Sequence, residues 1–391
     1  MYFYLFPALA QDPVLAALTQ FKETPTVDEY FKAFPALLRF SVEEAITENS
    51  VREYIISKML EASTLSRSLE LPDIEIYLAK DIQGLYDLAF GTDWNWLCKK
   101  AGTLPFPSGT RENEVHSLTE YSDFIRTMTK AGSSEELAEQ LICFFKQYAN
   151  ADEAQYSAFR WEDGEMLGID KMDSIVFDRL GGLETQKATL IENTQAFLKG
   201  KPANNVLLVG GSGTGKSSCV KANLNYFADK GLRMVEISKQ ELATLPALME
   251  ELRVKKQHYI IYIDDLSFED ADQSYIELKV ALDGQLEPKP AHVLIYATSN
   301  RRRLMRESWT DRQGVDDLHT HDALHEKMSL SERFGIRLYF GVLSQQEYFG
   351  LIEMLLNEHG VEFTDELCIQ AATWASTNNG RSGRTARQFV N

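Results

Sequence analysis

The stretch VLLVGGSGTGKSS, residues 206–218, decides how this chain is read. An apolar run, 206–209, meets Gly210, and Gly210, Gly215, Lys216 and Ser217 then satisfy G-x-x-x-x-G-K-[ST] before a helical run begins. Strand, glycine-rich loop and helix in that order give the pattern its meaning. Gly210, Gly211, Gly213 and Gly215 let the backbone bend so that successive N–H groups face an anion. The helix opening near Lys216 adds the positive end of its dipole. Lys216 offers a point charge to β- and γ-phosphates, and Ser217 offers a hydroxyl to Mg2+. Ser212, Thr214 and Ser218 complete the expected cradle.

Working outward, HYIIYIDDL (258–266) is an apolar strand ending in two carboxylates. Asp264 at its tip is placed to hold Mg2+ through water, and Asp265 to orient or activate an attacking water. Strand-end aspartates by themselves often just cap the next helix; their position after the phosphate loop is what raises them to site candidates. ATSNRRRL (297–304) ends the next apolar strand and puts Asn300 near a terminal phosphate. LSERFGIRL (330–338) carries Arg333, and GRSGRTARQF (380–389) carries Arg384 and Arg387. Guanidinium groups stay ionised and grip phosphoryl oxygens in pairs.

Apolar segments at 205–209, 233–237, 258–264, 292–298 and 336–341 alternate with helical stretches at 216–229, 239–254 and 274–283. That alternation predicts an α/β sandwich with a mostly parallel five-stranded sheet. From Ser344 onward the pattern is helical, giving a small C-terminal lid. The N-terminal part reads as mainly helical. Thr26 with Glu29, Ser41 with Glu44, and Ser133 with Glu136 have capping-box spacing, and Leu137, Leu141, Phe144, Phe145 and Tyr148 follow the last at helical intervals. Residues 101–118 read as a loop. The expected division is 1–165, a helical partner-binding domain; 166–343, the nucleotide-binding domain; and 344–391, the lid.

Composition bounds the rest. The 391 residues are 44% hydrophobic and 25% charged, as in ordinary globular chains. A net charge of −18 argues against a broad grip on nucleic acid or anionic lipid, so a protein partner is favoured. The acidity is concentrated in residues 1–170, net −14, against −4 in 171–391. Cys98, Cys143, Cys219 and Cys368 are too scattered for a zinc cluster and too few for a disulfide framework, which points to a reducing, cytoplasmic setting. Cys219, one turn into the loop's helix, reads as packing. MYFYLFPALA at the N-terminus ends in Ala-x-Ala but has no basic residue, so it reads as an apolar anchor and not a secretory signal. No run is long enough to span a membrane.

The order of these motifs resembles an AAA+ ATPase module. FDRLGGLETQKATLIENTQAFLKGKPANNVLLVGGSGTGKSS (177–218), YIDDLSFE (262–269), ATSNRRRL and EKMSLSERFG (326–335) are closer still to the bacterial ATP-binding family catalogued as domain of unknown function 815. The resemblance covers about 174 to the C-terminus. It implies an AAA+ P-loop NTPase sandwich that binds ATP and Mg2+. Gly210, Gly215, Lys216 and Ser217 fill Walker A, and Asp264 and Asp265 fill Walker B. Asn300 matches sensor 1, Arg333 the arginine finger, and Arg384 sensor 2, while the segment from Phe177 through Leu180 to Leu183 matches the adenine pocket. It further implies self-association into a ring or arc, with hydrolysis at the subunit interface driving the remodelling or loading of a macromolecular partner. Many AAA+ motors carry glutamate where this chain has Asp265, so a slowly hydrolysing ATP-dependent switch is the alternative. A P-loop kinase is disfavoured by the S-E-R-F-G and G-R-T-A-R segments. His319, His321 and His325 lie among Asp316, Asp317 and Asp322, but with no familiar zinc spacing they read as a polar loop. Arg301, Arg302, Arg303 and Arg306 read as ion-pair or interface partners.

Overall fold

A computed structural model describes residues 3–43, 49–61, 63–108, 119–267, 273–283, 289–300, 330, 332–378 and 380–391. The histidine and arginine clusters at 301–325 lie outside these residues. The chain forms two compact units, Met1–Tyr156 and Ser157–Asn391.

The first unit is helical: α1 (Pro13–Glu23), α2 (Val27–Glu43), α3 (Ser50–Glu61), α4 (Ser63–Ser68), α5 (Ile74–Ala89), α6 (Trp94–Ala101), α7 (Thr119–Met128), α8 (Ser134–Gln147) and α9 (Ala151–Gln155). Its aromatic residues are core: Phe106 packs against Phe21, Tyr30 and Trp94. The apolar N-terminus is anchored as expected. Leu5, Phe6 and Leu9 are buried, and the Tyr4 and Leu5 N–H groups donate to the buried Asp81 carboxylate. Ser133 caps α8 by accepting from Glu136 N–H, and Leu137, Leu141, Phe144, Phe145 and Tyr148 are all buried. Thr26 likewise accepts from Glu29 N–H ahead of α2. Ser41 departs from expectation. It lies inside α2, and its hydroxyl donates to the Leu37 carbonyl one turn back. A serine inside a helix takes the i−4 carbonyl instead of capping a new one, and Glu44 of the expected box lies outside the described residues.

The second unit carries a seven-stranded sheet in the order β2-β1-β4-β5-β6-β3-β7. Its strands are β1 (Ala158–Glu162), β2 (Glu165–Gly168), β3 (Val206–Gly210), β4 (Leu232–Ile237), β5 (His258–Ile263), β6 (Val293–Ser299) and β7 (Ile336–Phe340). The five expected strands are present and mutually parallel. The two additional strands form an antiparallel hairpin whose first strand runs parallel to β4. Asp163 and Gly164, both at positive φ, make its two-residue turn. This hairpin spans the 165/166 boundary expected from the sequence and belongs to the sheet.

Between strands run α10 (Glu184–Leu198), α11 (Lys216–Phe227), α12 (Leu245–Arg253) and α13 (Gln273–Asp283). The lid is α14 (Gln345–Glu358), α15 (Asp365–Thr377) and α16 (Gly383–Val390). Val206, Leu208, Ile260, Tyr262, Leu294 and Tyr296 share one core with residues of α10 and α11. The alternate residues Leu207, Val209, Ile261, Ile263, Ile295 and Ala297 are buried too, so both faces are covered, as a parallel sheet requires. All four cysteines are free, and burial pushes the Cys219 thiol up to about 12, which suits packing and not nucleophilic attack. Among the described residues no helix is long and apolar enough to cross a membrane.

Polar clamps set the start of β3. Asn193 on α10 exchanges two hydrogen bonds with the Asn204 backbone, and its amide also donates to the Tyr296 hydroxyl at 3.0 Å. Lys289 donates to Asn205 Oδ1 at 3.1 Å, and burial pushes its ammonium down to about 8. Two predictions follow from these contacts. Tyr296→Phe should lower the unfolding free energy by about 1–2 kcal/mol in urea titrations, the usual worth of a buried hydroxyl's partners. Lys289→Met should stabilise the chain at pH 7, where the folded protein carries a buried charge that the unfolded one solvates. As pH rises from about 8 towards the ordinary 10.5, folded Lys289 sheds its proton first, so wild-type stability should climb and the two proteins converge. Denaturant unfolding across that pH range measures it.

Candidate functional site

The period of two along a strand does much of the positioning. Tyr262 and Asp264 share a side of β5 with Ile260, and Tyr296, Thr298 and Asn300 share the matching side of β6, all towards α11. The pairing of Ile263 with Ala297 sets Asp264 beside Thr298. Asp265 falls on the other parity, but it leaves the extended conformation at φ 50°, a region aspartate tolerates better than most side chains. Its N–H donates to Thr298 Oγ1 at 2.9 Å, and its carboxylate accepts from Asn300 Nδ2 at 2.7 Å.

The phosphate loop sits at the C-terminal tip of β3, between β6 and β7. Gly210 passes so close to β7 that a Cβ would meet the Phe340 carbonyl at 2.2 Å. Gly213 and Gly215 adopt φ +77° and +99°, which a side chain resists. Gly215 is also the N-cap of α11 and makes no side-chain cap to the helix's first N–H groups, an arrangement suited to an anion.

Lys216 is 6% exposed, and its ammonium donates to the carbonyls of Gly210 at 2.9 Å and Gly211 at 2.8 Å and to Asn300 Oδ1 at 2.9 Å. Burial lowers its pKa and nearby Arg384 adds to this, while Asp264 and Asp265 pull the other way. Asn300 therefore bridges Lys216 and Asp265. Ser217 Oγ donates to Asp264 Oδ1 at 2.9 Å, which turns the serine's lone pairs outward. Burial pushes the Asp264 carboxyl up, but the hydroxyls of Thr298, Tyr262 and Ser217 outweigh it and hold the pKa below the ordinary value.

These groups line a cleft of about 510 Å3, a size typical of small-molecule sites. Ser212 to Ser218, Asp264, Asp265, Asn300 and Thr298 form its polar end; Leu180, Leu183, Leu343 and Leu351 form an apolar wall. Gly210 and Gly211 stand behind the loop, their carbonyls on Lys216. Arg384 closes the rim, its guanidinium donating to Ser212 Oγ at 3.1 Å and its N–H to the Gly213 carbonyl at 3.2 Å. Arg387, one turn on, also faces the cleft. Two expected residues are elsewhere. Phe177 sits on a short 3-10 turn and packs edge-on against Tyr226, 6.0 Å between ring centres, so Leu180 and Leu183 line the cleft without it. Arg333 precedes β7 at the end of the sheet opposite the loop, since Ile336 pairs with Val206 and Phe340 with Gly210. Thr298 and Tyr262 were hidden in the sequence inside apolar strands; a hydroxyl interrupting such a run was their only signal.

The donor set is hard oxygen beside backbone N–H groups and a buried ammonium, which fits a phosphate chain carrying Mg2+: Ser217 and Asp264 would hold the metal, and the loop and Lys216 the anion.

Residues 154–391, more than half of the chain, match the sequence model of a family described as "Protein of unknown function (DUF815)". No curated protein matches. Among solved structures, a mutant of Thermotoga maritima RuvB is 17% identical, covering 55% of this chain and 63% of that one at a TM-score of 0.40. RuvB from the same organism, described as a Holliday junction branch migration motor, is 15% identical over 55% and 71% at 0.36. A FIGL-1 AAA domain in complex with ADP is 22% identical over 56% and 72% at 0.38. The chain thus spans less than two thirds of the first of these structures.

Gly215→Ala should weaken nucleoside triphosphate binding about tenfold or more, because left-handed strain of about 1–3 kcal/mol adds to a contact with Leu183. Gly211→Ala, whose new Cβ would meet only the Thr214 methyl at 3.8 Å, should bind like wild type; calorimetry compares the two.

Proposed function

We propose that this chain, which belongs to the DUF815 family, is an AAA+ ATPase that binds ATP and Mg2+ and hydrolyses ATP at a site completed by a neighbouring copy, to remodel or load a macromolecular partner. One observation carries the reading. Lys216, Asn300 and Asp265 form a continuous hydrogen-bonded circuit beside the Ser217–Asp264 pair, at the uncapped head of α11.

Each group has a role that its contacts support. The loop N–H groups and Lys216 bind and orient the phosphates. Mg2+, held by Ser217 and Asp264, would neutralise charge on the β- and γ-phosphate oxygens. Asn300 fixes one oxygen of Asp265, leaving the other to take the proton of an attacking water. The apolar wall from Leu180 to Leu351 receives the adenine face. Arg384 ties the lid to the loop, so that binding and lid position are coupled. Arg333 stands away from its own cleft, which supports its service in a neighbour's, within a ring or arc. The acidic charge favours a protein over nucleic acid as the partner, and the free cysteines suit a cytoplasmic setting.

The alternative, a slowly hydrolysing ATP-dependent switch, rests on Asp265 itself: its carboxylate is one methylene shorter than glutamate and already engaged by Asn300.

Turnover per subunit should rise with protein concentration, and Lys216→Ala should abolish ATP·Mg2+ binding in calorimetry. Arg333→Ala should slow hydrolysis by about 10³-fold or more while ATP still binds, as expected for a finger supplied in trans. Activity per subunit that stays flat with concentration would remove the shared site, and ATP held uncleaved in single turnovers would favour the switch.

A further inference from the structure

Two buried hydroxyls beyond the motif residues stand at the cleft: Thr298 lines it, and Tyr262 reaches Asp264, which does. Tyr262 is 3% exposed and Thr298 1%, each near the end of a mainly apolar central strand. Burying a hydroxyl is costly unless it finds a partner. Both donate to the same atom, Asp264 Oδ1: Tyr262 at 2.7 Å, and Thr298 in a short contact. With Ser217, three O–H donors converge on that oxygen. Thr298 does more, since its oxygen accepts the Asp265 N–H and so holds the turn that brings Asp265 to Asn300.

Three donors on Oδ1 lock the carboxylate's rotation and favour its ionised form. Register makes this possible: Tyr262 lies two residues before Asp264 on the same strand face, and Thr298 lies beside it on β6. The two hydroxyls reach Asp264 from β5 and β6, and the Ser217 hydroxyl reaches it from α11.

On the reading of the cleft as an ATP·Mg2+ site, we infer that Tyr262 and Thr298 are positioning residues for the metal. They hold Asp264 in the orientation that accepts Mg2+, and Thr298 links that orientation to the Asp265 turn. Tyr262 is not among the cleft-lining residues, and the hydroxyl of Thr298, which is, is taken up by Asp264 and the Asp265 N–H, so their effect falls on the metal dependence of binding and not on the affinity for metal-free nucleotide.

The test titrates Mg2+ against wild type, Tyr262→Phe, Thr298→Val and Thr298→Ser in the presence of a fluorescent non-hydrolysable ATP analogue. Affinity for the same analogue in EDTA and thermal melting are measured in parallel. Loss of a residue that orients a metal ligand typically costs about 10- to 100-fold in metal affinity. Half-saturating Mg2+ should rise by that factor in Tyr262→Phe and Thr298→Val, return close to wild type in Thr298→Ser, and leave binding in EDTA unchanged. Should Thr298→Val not fold, Tyr262→Phe and Thr298→Ser still decide the matter. Unchanged Mg2+ dependence in folded Tyr262→Phe, or an equal loss in EDTA, overturns the inference while the ATP reading stands. Wild-type binding that ignores Mg2+, or no binding, overturns both.

Discussion

An ammonium removed from water must find its acceptors within the protein, and those around Lys216 come from separate parts of the chain. Two are carbonyls of its own loop; the third is Asn300, at the end of β6. The same amide engages Asp265 at the end of β5. One buried cation therefore ties the phosphate loop to the tips of two strands that lie side by side only because the sheet orders them so. An isolated buried charge is costly, and opposite charges with good hydrogen bonds offset that cost. Asp264 and Asp265 supply the opposite charge here. The loop, the Ser217–Asp264 pair and Asp265 are in this sense a single electrostatic unit.

The lid joins that unit through backbone as well as side chain. Arg384 N–H reaches the Gly213 carbonyl, and Leu343 N–H reaches the Arg381 carbonyl. Gly181 and Gly182 pack against Leu351 and Leu343, where a Cβ on Gly182 would come within 2.8 Å of the Leu343 side chain. Arg179 pairs with Glu358 across the same junction, though at this exposure such a pair guides geometry more than it adds stability. The apolar wall of the cleft is thus assembled from both sides of the junction.

Much of this architecture was legible in the residues themselves. The five parallel strands and the loop follow from short-range patterns, because strand and helix periods are local. The β1–β2 hairpin also had a local signal, Asp163–Gly164, but its flanking strands are short and only half apolar. Ser41 shows the opposite failure: a hydroxyl at capping spacing means little when it stands inside a helix already under way. Phe177 shows a third, since an aromatic side chain near a loop is as readily core as cleft.

The sequence by itself determined which groups carry charge and hydroxyl, and on which face of each strand they stand, because parity along a strand is set one residue at a time. Only the tertiary structure decided that Tyr262, Thr298 and Ser217 meet on one oxygen of Asp264, and that Arg333 lies away from the cleft that Arg384 closes. Those meetings depend on the order of strands and on the seat of α11 against them. Such long-range packing is the sum of many weak contacts, and no single window of residues contains it.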